Sequence, residues 1–501
     1  MRTLWLQIKS HKSQESWNHG RSMDYQFLLK SARKEPVASR QRLLYLNLRE
    51  SIGTARLPAG HRLPGSRALA EQLDVARNTV VHAYEQLCSE GYLLSDRQGT
   101  VVASLPPPPR RRPGEMRRAA RLSSRVRQLP FTQETREELW PFTSGVPALD
   151  AFPLAEWQST VRRTFQGIQA CDLGYAESQG SAALRTAISD RLRVARGLRC
   201  SPEQVLITDG TLTGLDICSR LLGEEGDVVW MENPGYAGGR SVFTAAGLKV
   251  HSVSADAGGM VTADLSAHPA PRFIYLTPSH QWPLGGVLPM PRRLELLALA
   301  HQHGAWILED DYDSDFRYGG EPLVALQGLT EEAPVIYLGT FSKTLFPGLR
   351  LGYLIAPPEL IGPLRASLAT LRRHGRQIEE ATLARFMLEG RYTRHLSRMR
   401  KLYKERREAL QAALTRYLPA LDVLGADAGL HLVVALPPDM DDLEVCERAG
   451  RRGLNPQPLS RCYEAATGRQ PGLILGYGNT PVSVMDHCVR TLVRSIKGSH
   501  V

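Results

Sequence analysis

Four consecutive prolines, Pro106 to Pro109, run into three arginines, Arg110 to Arg112, inside a Pro/Arg-rich stretch covering residues 104 to 140. Proline fixes φ and has no N–H to donate, so this stretch can neither continue a helix nor sit inside a sheet. It is expected to be a semi-rigid, polyproline-like spacer. The 501-residue chain is therefore divided: a small unit ends near Ala103 and a large one begins near Phe142. Ahead of the small unit, residues 1–35 show no clear period and are expected to be an extension, with Met23 a candidate start.

Charge divides at the same place. Residues 1–140 hold 24 Lys and Arg against 13 Asp and Glu, which accounts for the whole net charge of +11, and the remaining 361 residues are neutral. Such asymmetry points to an anionic partner, nucleic acid first, for the N-terminal part alone. The linker arginines fit phosphate contacts or a solvated spacer equally well. No apolar run approaches the roughly 18 residues needed to cross a bilayer, and Trp5, Gln7 and Lys9 interrupt any signal-peptide core. The seven cysteines are odd in number, scattered and never in CxxC spacing, as expected for idle thiols in a reducing cytoplasm.

In the basic part, residues 36–103, Leu44, Leu48 and Ile52 form one helical stripe. Pro58, Gly60 and Pro64 then break the chain, and Ser66 is expected to cap a second short helix ending at Leu73. A third helix is expected over Arg77–Glu90, stopped by Gly91, with Val80, Tyr84 and Leu87 on one face. Short strands at Tyr92–Leu94 and Val101–Ala103, turning at Arg97–Thr100, would complete a winged helix-turn-helix. Its third helix would carry Arg77, Asn78 and Thr79 to base edges in double-stranded DNA, while Arg67 and Gly99 meet phosphates or the minor groove.

In residues 141–501, strand patterns alternate with helical ones. Strands are expected at Val205–Thr208, Val228–Met231, Phe273–Thr277, Trp306–Glu309, Val335–Leu338 and Leu351–Ile355, with helices such as Thr211–Leu222 between them. This is an α/β sheet covered on both faces, whose ligands bind beyond the carboxyl ends of the strands. Chemistry-bearing residues stand there: Asp310 and Tyr312 after one strand, Ser342, Lys343 and Arg350 after another, Gly210 and Thr211 at a helix start, and Tyr236 after a third. Together they ask for an aromatic, phosphorylated aldehyde, and pyridoxal 5'-phosphate (PLP) meets each requirement. Lys343 would form the Schiff base, and Asp310 would pair with the pyridinium nitrogen. Tyr312 would donate to the ring oxygen and Tyr236 would cover one face. Arg350, Ser342 and the amide at Thr211 would neutralise the phosphate.

The string LPGSRALAEQLDVARNTVVHAYEQLCSEGYL closely resembles the GntR class of bacterial winged helix-turn-helix regulators, departing from it at Ala76, where serine usually caps the recognition helix, and in its less glycine-rich wing. Residues 142–496, with ILEDDYDSDFRY, GTFSKTLFPGLRLGY and TPSHQWPLGG, resemble the fold-type I, aspartate-aminotransferase-like domain. The chain as a whole resembles the MocR family of PLP-dependent transcriptional regulators. The resemblance implies a homodimer with swapped domains, a cofactor on Lys343, DNA binding at repeated half-sites, and Thr340 and His280 as further cofactor contacts. The late strand Leu473–Tyr477 lacks the arginine with which aminotransferases grip a substrate carboxylate, Arg461 resembles an effector-binding position, and Gly238 replaces a second arginine of an effector-binding relative.

The resulting expectation is a cytoplasmic regulator that senses PLP or an amine or amino-acid aldimine of it, with turnover left open. The alternatives are an aminotransferase carrying an appended DNA-binding domain, or a domain serving only to dimerise. The basic stretch with His395, Arg398 and Arg400 is expected to be a solvated helix face rather than a second DNA site.

Overall fold

The computed structural model describes residues 24–29, 39–106, 122–127, 129, 139–263, 265–319, 323–371, 375–425, 427–464 and 469–498. The run from Pro107 to Arg112, and with it most of the expected spacer, lies outside them. The chain falls into two compact units, Met1–Ala120 and Arg121–Val501.

The first unit holds α1 (Arg40–Gly53), β1 (Arg62–Leu63), α2 (Ser66–Leu73), α3 (Arg77–Ser89), β2 (Leu93–Asp96) and β3 (Gly99–Val102). The expected stripes become its core: Leu44, Leu48 and Ile52 of α1 meet Leu69 and Leu73 of α2 and Val80, Tyr84 and Leu87 of α3. Ser39 caps α1, its side chain accepting from the Arg42 amide at 3.2 Å. Ser66 does not cap α2, because Gly65 holds that position; its hydroxyl instead accepts from Arg77 Nε at 3.4 Å. The wing strands are longer and shifted relative to expectation, since the pair Asp96↔Gly99 closes a two-residue turn at Arg97 and Gln98, with Gly99 at φ +131°. β1 is a third strand, pairing antiparallel with β3; two residues carry too little pattern to be seen in the sequence. Tyr25 and Leu28, from the expected extension, are buried in this core, and the Tyr25 hydroxyl meets His61 Nε2 at 2.9 Å.

The second unit is built on an eight-stranded sheet of β4 (Val205–Thr208), β5 (Val228–Asn233), β6 (Lys249–Asp256), β7 (Gly259–Met260), β8 (Phe273–Leu276), β9 (Trp306–Asp311), β10 (Val335–Thr340) and β11 (Gly352–Ile355). Its order is β4-β11-β10-β9-β8-β5-β6-β7. The five central strands run parallel, and β11 is antiparallel to both neighbours. Side chains alternate between faces: Val229 and Met231 join Leu215, Cys218 and Phe243 on one side, while Trp230 joins Ile274, Leu296 and Ile307 on the other. A smaller antiparallel sheet, β12 (Val423–Leu424), β13 (His431–Ala435), β14 (Gln457–Pro458) and β15 (Gly472–Gly476), has the order β12-β13-β15-β14.

His395 is not on a solvated face. It is buried, and its Nε2 lies 2.9 Å from the Thr344 carbonyl; burial lowers its pKa to about 4, so the ring is neutral and donates. Arg398 and Arg400 of the same helix, Arg391–Tyr417, are exposed.

Candidate functional site

The carboxyl ends of β4, β5, β9 and β10 converge on a cavity of about 280 Å³. Its wall includes Lys343, Asp310, Tyr312, Tyr236, Gly210, Thr211, Thr340, Ser342 and Arg350, nine of the ten cofactor positions expected from the sequence. The tenth, His280, stands behind Tyr312 rather than in the wall.

Asp310 lies one residue inside the end of β9, not after it. Tyr275 of the neighbouring β8 donates to its Oδ2 at 2.8 Å, while Oδ1 is buried with no hydrogen-bond partner. Burial pushes its pKa up to about 7. Lys343, three residues beyond β10, donates from Nζ to the Gly145 carbonyl at 2.8 Å. Burial lowers its pKa, opposed by the Asp313 and Asp310 carboxylates, while Arg350 adds to the drop. Desolvation therefore brings the lysine toward a neutral, nucleophilic amine and leaves the aspartate short of one donor.

At the other end the chain is shaped for an anion. Gly210, at φ +99°, precedes the helix Thr211–Leu222, and a Cβ there would lie 3.7 to 3.9 Å from the Arg350 guanidinium. A Cβ on Gly352 would fall 2.7 Å from Gly210 Cα, so β11 approaches this turn only because residue 352 is glycine. Amides at a helix start beside an arginine are a ready phosphate cradle. Tyr236 is half-buried, and desolvation raises its pKa to about 12. Gly238 leaves room for this ring, since a Cβ there would sit 2.5 Å from Tyr236 Cζ.

Other residues of the site escaped sequence reasoning, Tyr275, Asp313 and His431 among them. Tyr275 orients Asp310, as above. Asp313 is buried with its pKa raised by that burial, and its Oδ2 lies 3.0 Å from His280 Nδ1. The same nitrogen lies 3.0 Å from the Tyr312 hydroxyl, which donates to the His280 carbonyl at 3.0 Å. His280 therefore links the phenol to a carboxylate. His431, at the start of β13, donates from Nε2 to the Pro283 carbonyl at 2.8 Å; burial lowers its pKa to about 3, so it stays neutral. The last acidic residue of EDDYD was the available signal for Asp313; nothing local marks the other two. Arg461 is exposed on the turn Leu459–Cys462 and is not part of the cavity wall.

In the winged unit, Arg67, Arg77 and Asn78 are exposed and Thr79 is half-buried at the start of α3, with Gly99 half-buried beside the wing tip. Ala76, at φ −62° and ψ 139°, offers no side-chain cap.

Comparison with known proteins matches two families to the chain. Residues 41–102 match "Bacterial regulatory proteins, gntR family", and residues 138–463 match "Aminotransferase class I and II". The probable rhizopine catabolism regulatory protein MocR of Rhizobium meliloti is 38% identical over 90% of this chain and 92% of its own length. The chain belongs to the MocR family. As a MocR-type protein it is a DNA-binding transcriptional regulator whose large domain has the fold-type I architecture and takes PLP as cofactor. The pyridoxine biosynthesis regulator PdxR of Corynebacterium glutamicum is 34% identical over 86% of this chain and 90% of that protein. Among solved structures, the α-aminoadipate aminotransferase LysN of Thermus thermophilus, complexed with N-(5'-phosphopyridoxyl)-L-leucine, is 30% identical. It has a TM-score of 0.65 and covers 75% of this chain and 95% of that one. The MocR and PdxR matches each cover at least 86% of this chain, whereas the LysN likeness covers 75% of it. Among the described residues no helix is long and apolar enough to cross a membrane.

Proposed function

We propose that this MocR-type regulator holds PLP on Lys343 and converts the occupancy of that site, by cofactor alone or with a small amine or amino acid, into a change in promoter affinity. The observation that carries this reading is the unpartnered Oδ1 of Asp310, buried in the same cavity as a desolvated lysine. Asp310 Oδ1 would accept from a protonated pyridinium, the donor it lacks. When bound, the cofactor contributes a carbonyl that condenses with amines and an electron-withdrawing ring.

The chain's own residues do the rest. Burial lowers the pKa of Lys343, and the Gly145 carbonyl holds its Nζ in place. Tyr275 and burial fix the Asp310 carboxyl, and pairing with a cation there would return it to the charged form. Arg350, Ser342, Thr340, Gly210 and the Thr211 amide would receive the phosphate, and Tyr236 would cover one ring face. Tyr312, steered by His280, would meet the ring oxygen. Arg77, Asn78 and Thr79 would read bases, with Arg67 and Gly99 at the backbone.

The working assembly in this reading is a domain-swapped homodimer in the cytoplasm. Phe165, Leu173 and Tyr175 are exposed between residues 165 and 175, which supports burial of that stretch by a second copy. A ligand shifts such a dimer between arrangements only by binding them unequally. The functional limits are residues 36–103 for DNA, 104–140 as linker and 141–501 for the cofactor and effector. The test is borohydride reduction of PLP-loaded protein followed by peptide mapping: a reduced pyridoxyl group on Lys343 is expected, and a modified lysine elsewhere would overturn the assignment.

A further inference from the structure

Two turns form the anion-binding end of the cavity, and a third element ties them together from behind. One turn, residues 209–211, joins β4 to the helix Thr211–Leu222; the other, residues 349–350, leads into β11. Among the described residues, the cavity wall takes Gly210, Thr211 and Arg350 from these turns, and Asp209 and Leu349 are not part of it. Arg376, at the start of the helix Gln377–Leu388, is also outside the wall. Its Nε donates to Asp209 Oδ1 at 2.7 Å and its Nη1 to the Leu349 carbonyl at 3.3 Å. One guanidinium therefore holds the residue that precedes each half of the cradle.

The second turn needs such support. Arg350 sits at φ +50° and ψ +40°, a left-handed backbone that a residue with a Cβ keeps only where its surroundings impose it. That conformation aims its guanidinium at the Gly210 turn. The Arg376–Asp209 pair is more than a third exposed on both sides, so Coulomb attraction alone gives it little weight. Its weight lies in geometry, because a planar fork fixes two acceptors at once. It also lies in sign: Asp209 places a carboxylate next to the turn that would receive a phosphate dianion, and a cation held on that carboxylate offsets the repulsion.

The geometry points to Arg376 as a positioning residue for the cofactor's phosphate, acting through Asp209 and Leu349 without touching the ligand. This inference rests on the proposed cofactor reading and adds to it a side chain that sets how firmly the phosphate is held. It separates recognition of the phosphate, which Arg376 serves, from condensation at Lys343, which it does not.

The test uses the full-length, cofactor-free protein and a matched pair of probes, PLP and pyridoxal, which differ by the phosphate. Each is titrated in and followed by the visible band it forms, and the melting temperature of the unloaded variants checks their folding. Arg376→Ala should raise the PLP midpoint severalfold and leave the pyridoxal midpoint unchanged. Arg376→Lys, which keeps the charge but loses the fork, should fall between wild type and Arg376→Ala. Adding Asp209→Asn to Arg376→Ala should recover part of the lost PLP affinity, since the carboxylate no longer opposes the phosphate. Equal losses for PLP and pyridoxal, an unchanged PLP midpoint in Arg376→Ala, or no recovery on adding Asp209→Asn would overturn the inference while leaving the cofactor reading intact. Failure of the wild-type protein to develop any visible band with PLP would overturn both.

Discussion

Asp310 shows how one side chain can be legible and still be misplaced by a residue. The pattern WILE followed by acidic residues marked a strand end with chemistry on it, yet the strand runs through Asp311, because the second carboxylate is itself anchored by Arg196 Nε at 2.8 Å and by the Tyr337 hydroxyl. That anchoring fixes the backbone under Asp310. Burial raises Asp310 from 3.8 in the unfolded chain to about 7 in the folded, cofactor-free one, so the folded state binds the extra proton. Stability from this group is full below about pH 4 and is lost as pH rises through about 7. A pyridinium partner removes that loss. The melting temperature of loaded protein should therefore pull ahead of that of cofactor-free protein as pH rises from 5.5 to 8, and Asp310→Asn should flatten the gap; calorimetry at several pH values checks this. His280, expected as a further cofactor contact, bridges Tyr312 and Asp313, partners 32 and 33 residues away that only the fold brings near. Removing the negative charge near Lys343 with Asp313→Asn should lower the pH at which the bound cofactor's visible band titrates. A spectrophotometric pH titration reads this directly, and an unmoved midpoint would reduce Asp313 to a packing role.

Elements were legible in proportion to their apolar pattern. β4 and β8 are fully buried four-residue runs, VLIT and FIYL, and stood out as such. β6, KVHSVSAD, did not, because only Val253 of its eight residues is buried and polar residues interrupt any run. The recognition helix α3 was placed to within a residue at each end, although Ala76 gives it no side-chain cap. The packing of Val80, Tyr84 and Leu87 against α1 and α2, with the Tyr84 hydroxyl donating to the Pro64 carbonyl at 3.0 Å, holds the helix start in place instead. Arg77 is exposed there, tied only loosely to Ser66. Arg77→Ala should weaken specific operator binding by about 1 to 3 kcal/mol, with a much smaller loss on random DNA. Equal losses on both, measured by fluorescence anisotropy at fixed salt, would remove Arg77 from base reading.

For the whole molecule, prolines and charge led to an expected division between residues 103 and 142, and the chain falls into two compact units that meet at Ala120 and Arg121. The large sheet could be read from its strands, whereas the small one could not: two of its four strands are two residues long, and its order comes from long-range pairing. That small sheet supplies His431 and Gln457 to the cavity, which is why the effector side was the least legible part of the site. The account stands on coupling between a lysine in one unit and DNA affinity in the other. The most direct measurement is operator binding by cofactor-free wild-type and Lys343→Ala proteins as PLP is titrated in. Wild-type affinity should change severalfold with a midpoint matching growth of the visible band, and the variant should show no change. Identical operator affinity for wild-type protein with and without PLP would contradict the account.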